Sequence, residues 1–174
     1  MDRFFVKFNF GTASSPDDEP EEDGGEDKLG SDLSGVPEVG DVWNGTLILE
    51  VGEVDETGVD VLLMSLVEWS AYTWHIEDLL LEYSVNGISG WRLPAHEEAK
   101  RLKAAYIEDR LDILNGYIVA YNSGLVQLDI EERYLCMKSN EYYSFAFRNN
   151  TNISPAKPTV EYSVRLVKSY RIDF

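Results

Sequence analysis

The run Gly90-Trp91-Arg92-Leu93-Pro94, which leads into a helical pattern from Ala95 to Tyr106, constrains the fold of this chain more than any other stretch. Pro94 has its φ angle preset for a first helical turn, where its missing amide hydrogen costs nothing. Trp91 and Leu93 offer large apolar area for burial. Arg92 can donate several fixed hydrogen bonds to carbonyls or to a carboxylate. The expected role of Trp91, Arg92, Leu93 and Pro94 is therefore framework rather than ligand contact, and Arg165, in a later apolar run, reads the same way.

A chain of 174 residues with 44% hydrophobic and 12% aromatic content can bury the core of one domain. Its net charge of −17 argues against nucleic acid and against an anionic membrane surface, both of which it would repel. The charge is concentrated between Asp17 and Asp27, where Asp17, Asp18, Glu19, Glu21, Glu22, Asp23, Glu26 and Asp27 surround Pro20, Gly24 and Gly25. Burial cannot offset the ordering entropy of such a segment, so residues 11–38 are expected to be an acidic flexible linker. The same carboxylates lack the spaced ligands and central glycine of an EF-hand calcium loop. Before the linker, Phe4, Val6, Phe8 and Phe10 alternate with Phe5, Lys7 and Asn9. Residues 1–10 thus read as an N-terminal strand that either pairs with the main sheet or ends a preceding module. Cys136 is the single cysteine, which rules out an intrachain disulfide. No apolar stretch approaches the ~20 residues that span a bilayer, and Met1 to Phe10 has no signal-peptide pattern. The protein is then expected either to be cytosolic or to have its export segment upstream.

Residues 39–174 carry the domain. Thr46 to Leu49 and Val59 to Met64 form a hairpin pattern, and Ile76, Leu79, Leu80 and Tyr83 share one helix face that ends near Asn86-Gly87. A second helix follows Pro94 with Ala99, Leu102 and Tyr106 inward, prolonged through Ile107, Leu111 and Leu114 to Asn115-Gly116. Strands are expected at Tyr117 to Tyr121, Leu125 to Ile130, Tyr134 to Met137, Tyr142 to Phe147 and Tyr162 to Val167. Two helices between sets of antiparallel strands make an α+β fold. Asn149 to Pro158 is a long loop between strands, a common place for binding residues.

Catalytic chemistry finds little support. Cys136 lies between Leu135 and Met137 in an apolar run, as a small buried hydrophobe would. His75 and His96 are too far apart for a metal-ligand spacing and are expected at the surface. Glu97-Glu98 and Glu131-Glu132 are adjacent carboxylates of the kind that stay solvated, and no glycine-rich phosphate loop is present. No cofactor, metal or catalytic residue is expected. Recognition is better served: Tyr142, Tyr143 and Phe145 precede Arg148, Asn149, Asn150, Thr151 and Asn152, and aromatics beside amides can stack on and hydrogen-bond a glycan or a protein edge. Tyr142, Tyr143, Arg148, Asn149, Asn150 and Asn152 are the candidate ligand-binding residues.

The string Gly90 to Pro94 resembles the Gly-Trp-Arg-Leu-Pro-Thr signature of bacterial C-type-lectin-like domains of the DUF1566 type, which are related to formylglycine-generating enzymes. Ser65 to Ser70 is similar to that family's segment ending in Trp-Ser, Arg133 to Cys136 stands where it has Tyr-Trp-Ser-Ser, and Tyr162 to Val167 resembles its closing Val-Arg strand. The resemblance covers about residues 42–168 and implies a C-type-lectin-like fold, with two helices packed on antiparallel sheets. It implies a non-enzymatic, cell-surface or secreted bacterial module, of the kind carried as a lipoprotein, that binds a glycan or a cell-surface protein. Its alternatives are a catalytic relative of the formylglycine-generating group and a subunit of a surface fibre. The Glu-Pro-Asn and Trp-Asn-Asp elements of calcium-dependent sugar binding are absent. Ala95 replaces the family's Thr, removing the hydroxyl that would cap the helix opposite Glu98. Ala95→Thr should therefore raise stability by ~1 kcal/mol; a thermal melt without a gain would mean that the helix does not start there.

Overall fold

The structure is a computed structural model that describes residues 35–174; the expected strand at 1–10 and most of the acidic linker lie outside the described residues. Within 35–38, Pro37 is buried and the Glu38 amide donates to Asp41 Oδ2 at 2.8 Å. Two sheets follow. In the first, β1 (Val42–Trp43), β2 (Thr46–Asp55), β3 (Gly58–Ser65) and β9 (Val167–Asp173) pair antiparallel in the order β1-β2-β3-β9. In the second, β4 (Trp69–Ala71), β8 (Tyr162–Val164), β5 (Tyr134–Lys138), β6 (Glu141–Phe145) and β7 (Ser154–Pro155) lie in the order β4-β8-β5-β6-β7, antiparallel except for β5 beside β8. The helices are α1 (Ile76–Glu82), α2 (His96–Tyr106) and α3 (Leu111–Tyr121). The described chain is thus α+β.

The two sheets share two long ribbons. Residues 58–71 and 162–173 pair with each other in both sheets, first as β3 with β9 and then as β4 with β8. Between the pairs Met64↔Val167 and Trp69↔Val164, one ribbon spends residues 65–68 while the other has only Arg165 and Leu166. The longer side leaves carbonyls without ladder partners, and Arg165 serves them. Its guanidinium donates to Ser65 O at 3.2 Å, to Leu66 O at 2.7 Å and to the Val126 carbonyl, and it pairs with the Glu68 carboxylate at 3.1 Å. Arg165 is only 3% exposed. Burial lowers its proton affinity and the Glu68 charge opposes that loss, so the two are held as a mutually neutralising pair inside the fold. Ser65 completes the junction: its amide donates to Leu166 O at 2.8 Å, and its Oγ accepts the Leu166 amide at 3.0 Å.

Past this junction β9 and β5 diverge, and the Gly90–Pro94 segment fills the gap. Gly90 enters it with φ of +72°, a left-handed angle that glycine adopts without strain. Arg92 exchanges two backbone hydrogen bonds with Val167, at 3.1 and 2.8 Å, while Pro94 O accepts the Met137 amide at 2.9 Å. One extended segment therefore splints both sheets. Trp91 and Leu93 are buried on one of its sides, and the indole Nε1 donates to Ile88 O at 2.9 Å. Arg92 leaves on the other side to meet Glu98 of α2 with two hydrogen bonds, at 2.6 and 2.7 Å. Burial alone would raise the Glu98 carboxyl, but Arg92 and the Ala95 amide, 2.7 Å from Glu98 Oε2, outweigh it and hold the group below its ordinary value. This is half of a capping box. The start of α2 at His96 agrees with the expected helix.

Alternation along the strands divides the core in two. Leu47, Leu49, Leu62, Met64, Tyr134, Cys136 and Val167 face α2 and α3, whereas Ile48, Val61, Leu63, Leu135 and Leu166 face α1 and Trp91. Tyr83, just after α1, stands edge-on between Trp69 and Trp91, with ring centroids 4.7 and 5.3 Å away. Burial there pushes its hydroxyl up to about 12.

Several expected elements differ. The helix expected to run from Ala95 to Asn115-Gly116 breaks at Ile107, because Asp109 and Arg110 would otherwise fall on the face of Leu102 and Tyr106. Glu108 takes φ of +49° and the chain restarts as α3, which buries Leu111, Leu114 and Ile118. Three α-helices result among the described residues, not two, and Tyr117 to Tyr121 is helix, not strand. Leu125 to Ile130 is no strand either: Leu128 exchanges its backbone hydrogen bonds with the buried Asn115 side chain, both at 2.8 Å, in place of a neighbouring strand. Tyr162 to Val167 is interrupted at Arg165 and Leu166 for the reason given above. Arg165→Met should destabilise the domain by about 3–5 kcal/mol, since it removes the cation that faces the Glu68 carboxylate and the donor to three carbonyls. Adding Glu68→Leu should recover only part of the loss, because the carbonyls stay unserved; full recovery in urea denaturation would show that the ion pair alone matters.

Candidate functional site

The loop after β6 is the expected contact region, and three side chains brace it from below. Lys103 of α2 donates to the Thr151 carbonyl and to Thr151 Oγ1, the latter at 2.6 Å. Arg133 reaches Ser144 O at 2.9 Å, Ser154 Oγ at 2.9 Å and Asn152 O at 3.4 Å, and Glu108 Oε1 accepts the Asn149 amide at 3.1 Å. Inside the loop, Thr151 Oγ1 donates to Arg148 O at 2.8 Å and Asn149 Oδ1 accepts the Asn150 amide at 3.1 Å. Asn150 sits at φ of +57°, which Asn tolerates better than most residues. Arg148, Asn149, Asn150 and Asn152 are exposed on this frame. Arg148 is committed to Glu131 at 2.8 Å, so the Asn149 and Asn150 side chains are the groups best placed to meet a ligand.

The two tyrosines expected to join them do not form one surface. As neighbours on β6 they point to opposite faces. Tyr143 packs with the α2 side, edge-on to His96 at 5.5 Å, and Tyr142 packs with the α1 side. His96 is consequently half-buried rather than a free surface residue, and its Nδ1 lies 3.2 Å from Glu97.

A second cluster, which sequence reasoning passed over, lies where β4 leads into α1. Trp74 is 61% exposed, and its indole lies nearly parallel to the Tyr72 ring, 17° between planes and 5.8 Å between centroids. His75 closes against both rings, at 3.4 Å from Trp74 and 6.4 Å from Tyr72. The adjacent first turn of α1 carries the exposed Glu77 and Asp78. Burial and then the Glu77 charge push the Tyr142 hydroxyl up. No local pattern marks the cluster: Tyr72 and Trp74 are rings two apart, and in the fold the buried residue between them is Thr73. A large aromatic left in water beside carboxylates is the reverse of what core packing produces.

Cys136 is fully buried, and burial pushes its thiol up to about 12. Among the described residues no His, Cys, Asp and Glu side chains gather in threes as a metal site would require, and no helix there is long and apolar enough to cross a membrane. No protein-family model, curated protein or solved structure matches the chain. Cys136 in the native protein should resist a thiol reagent and react fully once the chain is unfolded in denaturant. Rapid native labelling would restore it as a candidate nucleophile.

Proposed function

We propose that this chain is a non-enzymatic recognition module with a C-type-lectin-like scaffold, exposed outside a bacterial cell on its acidic N-terminal segment, and that it binds a glycan or a cell-surface protein. The observation that carries this reading is the solvent-facing Trp74 stacked on Tyr72. Rigid aromatic faces lose little conformational entropy when covered, and they serve as anchors in binding surfaces. The apolar face of a sugar ring fits such a platform while its hydroxyls donate to Glu77 and Asp78, the exposed carboxylates of the neighbouring helical turn. The braced Asn149 and Asn150 supply a second polar contact region, held in place before any ligand arrives.

Residue types and burial speak against covalent catalysis at the one thiol, because a protonated, inaccessible sulfur is a poor nucleophile. The Gly90–Pro94 segment and Arg165 act as framework in this reading. Their hydrogen-bonding capacity is taken up by carbonyls and carboxylates of the fold. An array of glycans and surface proteins, probed with the native chain, Trp74→Ala and Asn149→Ala/Asn150→Ala, tests the proposal. Trp74→Ala should weaken binding by ~tenfold or more with an unchanged melting temperature, since that ring is mostly in water. A bound ligand indifferent to both variants would move the site elsewhere, and an array without any ligand would remove the reading.

A further inference from the structure

The 3-10 turn Thr73–His75 runs on into α1 without a break, since Ile76 already has helical backbone angles and its amide donates to Thr73 O. The rod so formed buries Thr73, Ile76 and Leu79. Its outer side carries Trp74, Glu77, Asp78 and Leu81, which stand at i, i+3, i+4 and i+7 and are all exposed. Leu81 is 85% exposed, more than any other large hydrophobic side chain among the described residues, and Trp74 follows at 61% with Phe174. The stripe thus has an apolar group at each end and two carboxylates between them. A single exposed leucine calls for no explanation, but one aligned with an exposed tryptophan two turns away makes a contact surface.

The charges of this stripe are unanswered within the domain. Glu77, Asp78 and the adjacent exposed Glu82 make no ion pair among the described residues, whereas Glu50, Glu97 and Glu131 each have a Lys or Arg partner. Asp78 and Glu82 stand four residues apart on one helix, a like-charge spacing that weakens the helix. Glu82 also lies in the last turn of α1, which holds no basic residue although the helix dipole favours a cation there. A cation brought from outside would relieve both conditions at once.

We propose that the outer stripe of α1 docks a basic amphipathic helix of a partner protein, whose apolar side chains at i and i+7 seat on Trp74 and Leu81 while Lys or Arg between them face Glu77, Asp78 and Glu82. Such docking presupposes the recognition role given to Trp74, and it narrows that site's ligand to a protein segment of one kind. Seven residues of helix put Trp74 and Leu81 about 10.5 Å apart along the axis, a spacing that i and i+7 of a second helix reproduce. A strand would set its same-face side chains about 7 or about 13 Å apart and miss one anchor. A neutral sugar could accept or donate hydrogen bonds here but would leave three carboxylates uncompensated. A second copy of this chain would bring the same carboxylates to the contact and be repelled.

Fluorescence anisotropy tests it, with the native chain titrated into a labelled synthetic helix of about 18 residues that carries Leu at i and i+7 and Lys at i+3 and i+4. A control peptide has Glu in place of each Lys. The native chain should bind the lysine peptide and not the glutamate peptide, and more weakly as salt is raised. Leu81→Ser and, separately, Glu77→Gln/Asp78→Asn should each weaken binding by ~tenfold or more, the former with an unchanged melting temperature. A lysine peptide that the native chain does not bind, or binds as well after either change, overturns the proposal. So does a native chain that pairs with itself and becomes monomeric in Leu81→Ser. A glycan held through Trp74 and indifferent to Leu81→Ser also overturns it, yet leaves the recognition module standing; an array without any ligand removes the module and this docking with it. Should the double variant lose its fold, Leu81→Ser decides alone, because that side chain lies in open water.

Discussion

The buried pairing of Arg165 with Glu68 and with the carbonyls around it is the interaction on which the rest of the architecture depends. Two sheets can share a pair of ribbons only if the ladder is interrupted where they part, and an interrupted ladder leaves carbonyl oxygens inside the protein. A guanidinium is the side chain best suited to that place, with five donors in a fixed plane. Three of its acceptors are backbone carbonyls, and the fourth partner, Glu68, balances the charge. Without that balance the desolvation cost of a buried cation would exceed what the hydrogen bonds return.

The Gly90–Pro94 splint follows from the same geometry. Once β9 and β5 separate, each has an edge to satisfy, and a short extended segment between them serves one with Arg92 and the other with Pro94. The side chains of that segment then divide their roles by the two-residue period of extended backbone. Trp91 and Leu93 fill the α1 side of the core, and Arg92 ties the start of α2 through Glu98. One motif thereby joins both sheets, one half of the core and a helix start.

How much of this the amino-acid order discloses can be judged residue by residue. The Thr46 to Met64 hairpin, the existence of the first two helices and the strand pair around Lys138 to Glu141 were legible because their apolar residues keep one period, but the helices stop short of the expected Asn86-Gly87 and Asn115-Gly116, at Glu82 and Tyr106. Tyr117 to Tyr121 was not legible, since a short, wholly apolar run has no polar face to separate helix from strand. Leu125 to Ile130 has a strand-like composition, and only the distant Asn115 side chain explains why its backbone needs no strand beside it. Of the candidate site, the exposed asparagines were placed correctly on a loop. The opposite orientations of Tyr142 and Tyr143 were implied by the strand period, whereas the outward turn of Trp74 is set by tertiary packing that no local pattern records.

The shared ribbons also bear on how the protein comes into being. Strand β3 needs β9, and the hydrogen bond from Arg165 to Ser65 joins positions 100 apart in the chain. On a ribosome the first hairpin must wait, with its apolar edge open, until residues 167–173 have emerged. Assembly is then governed by the slow search of two remote segments for each other, not by the quick local winding of the helices. During that interval chaperones have the most to protect.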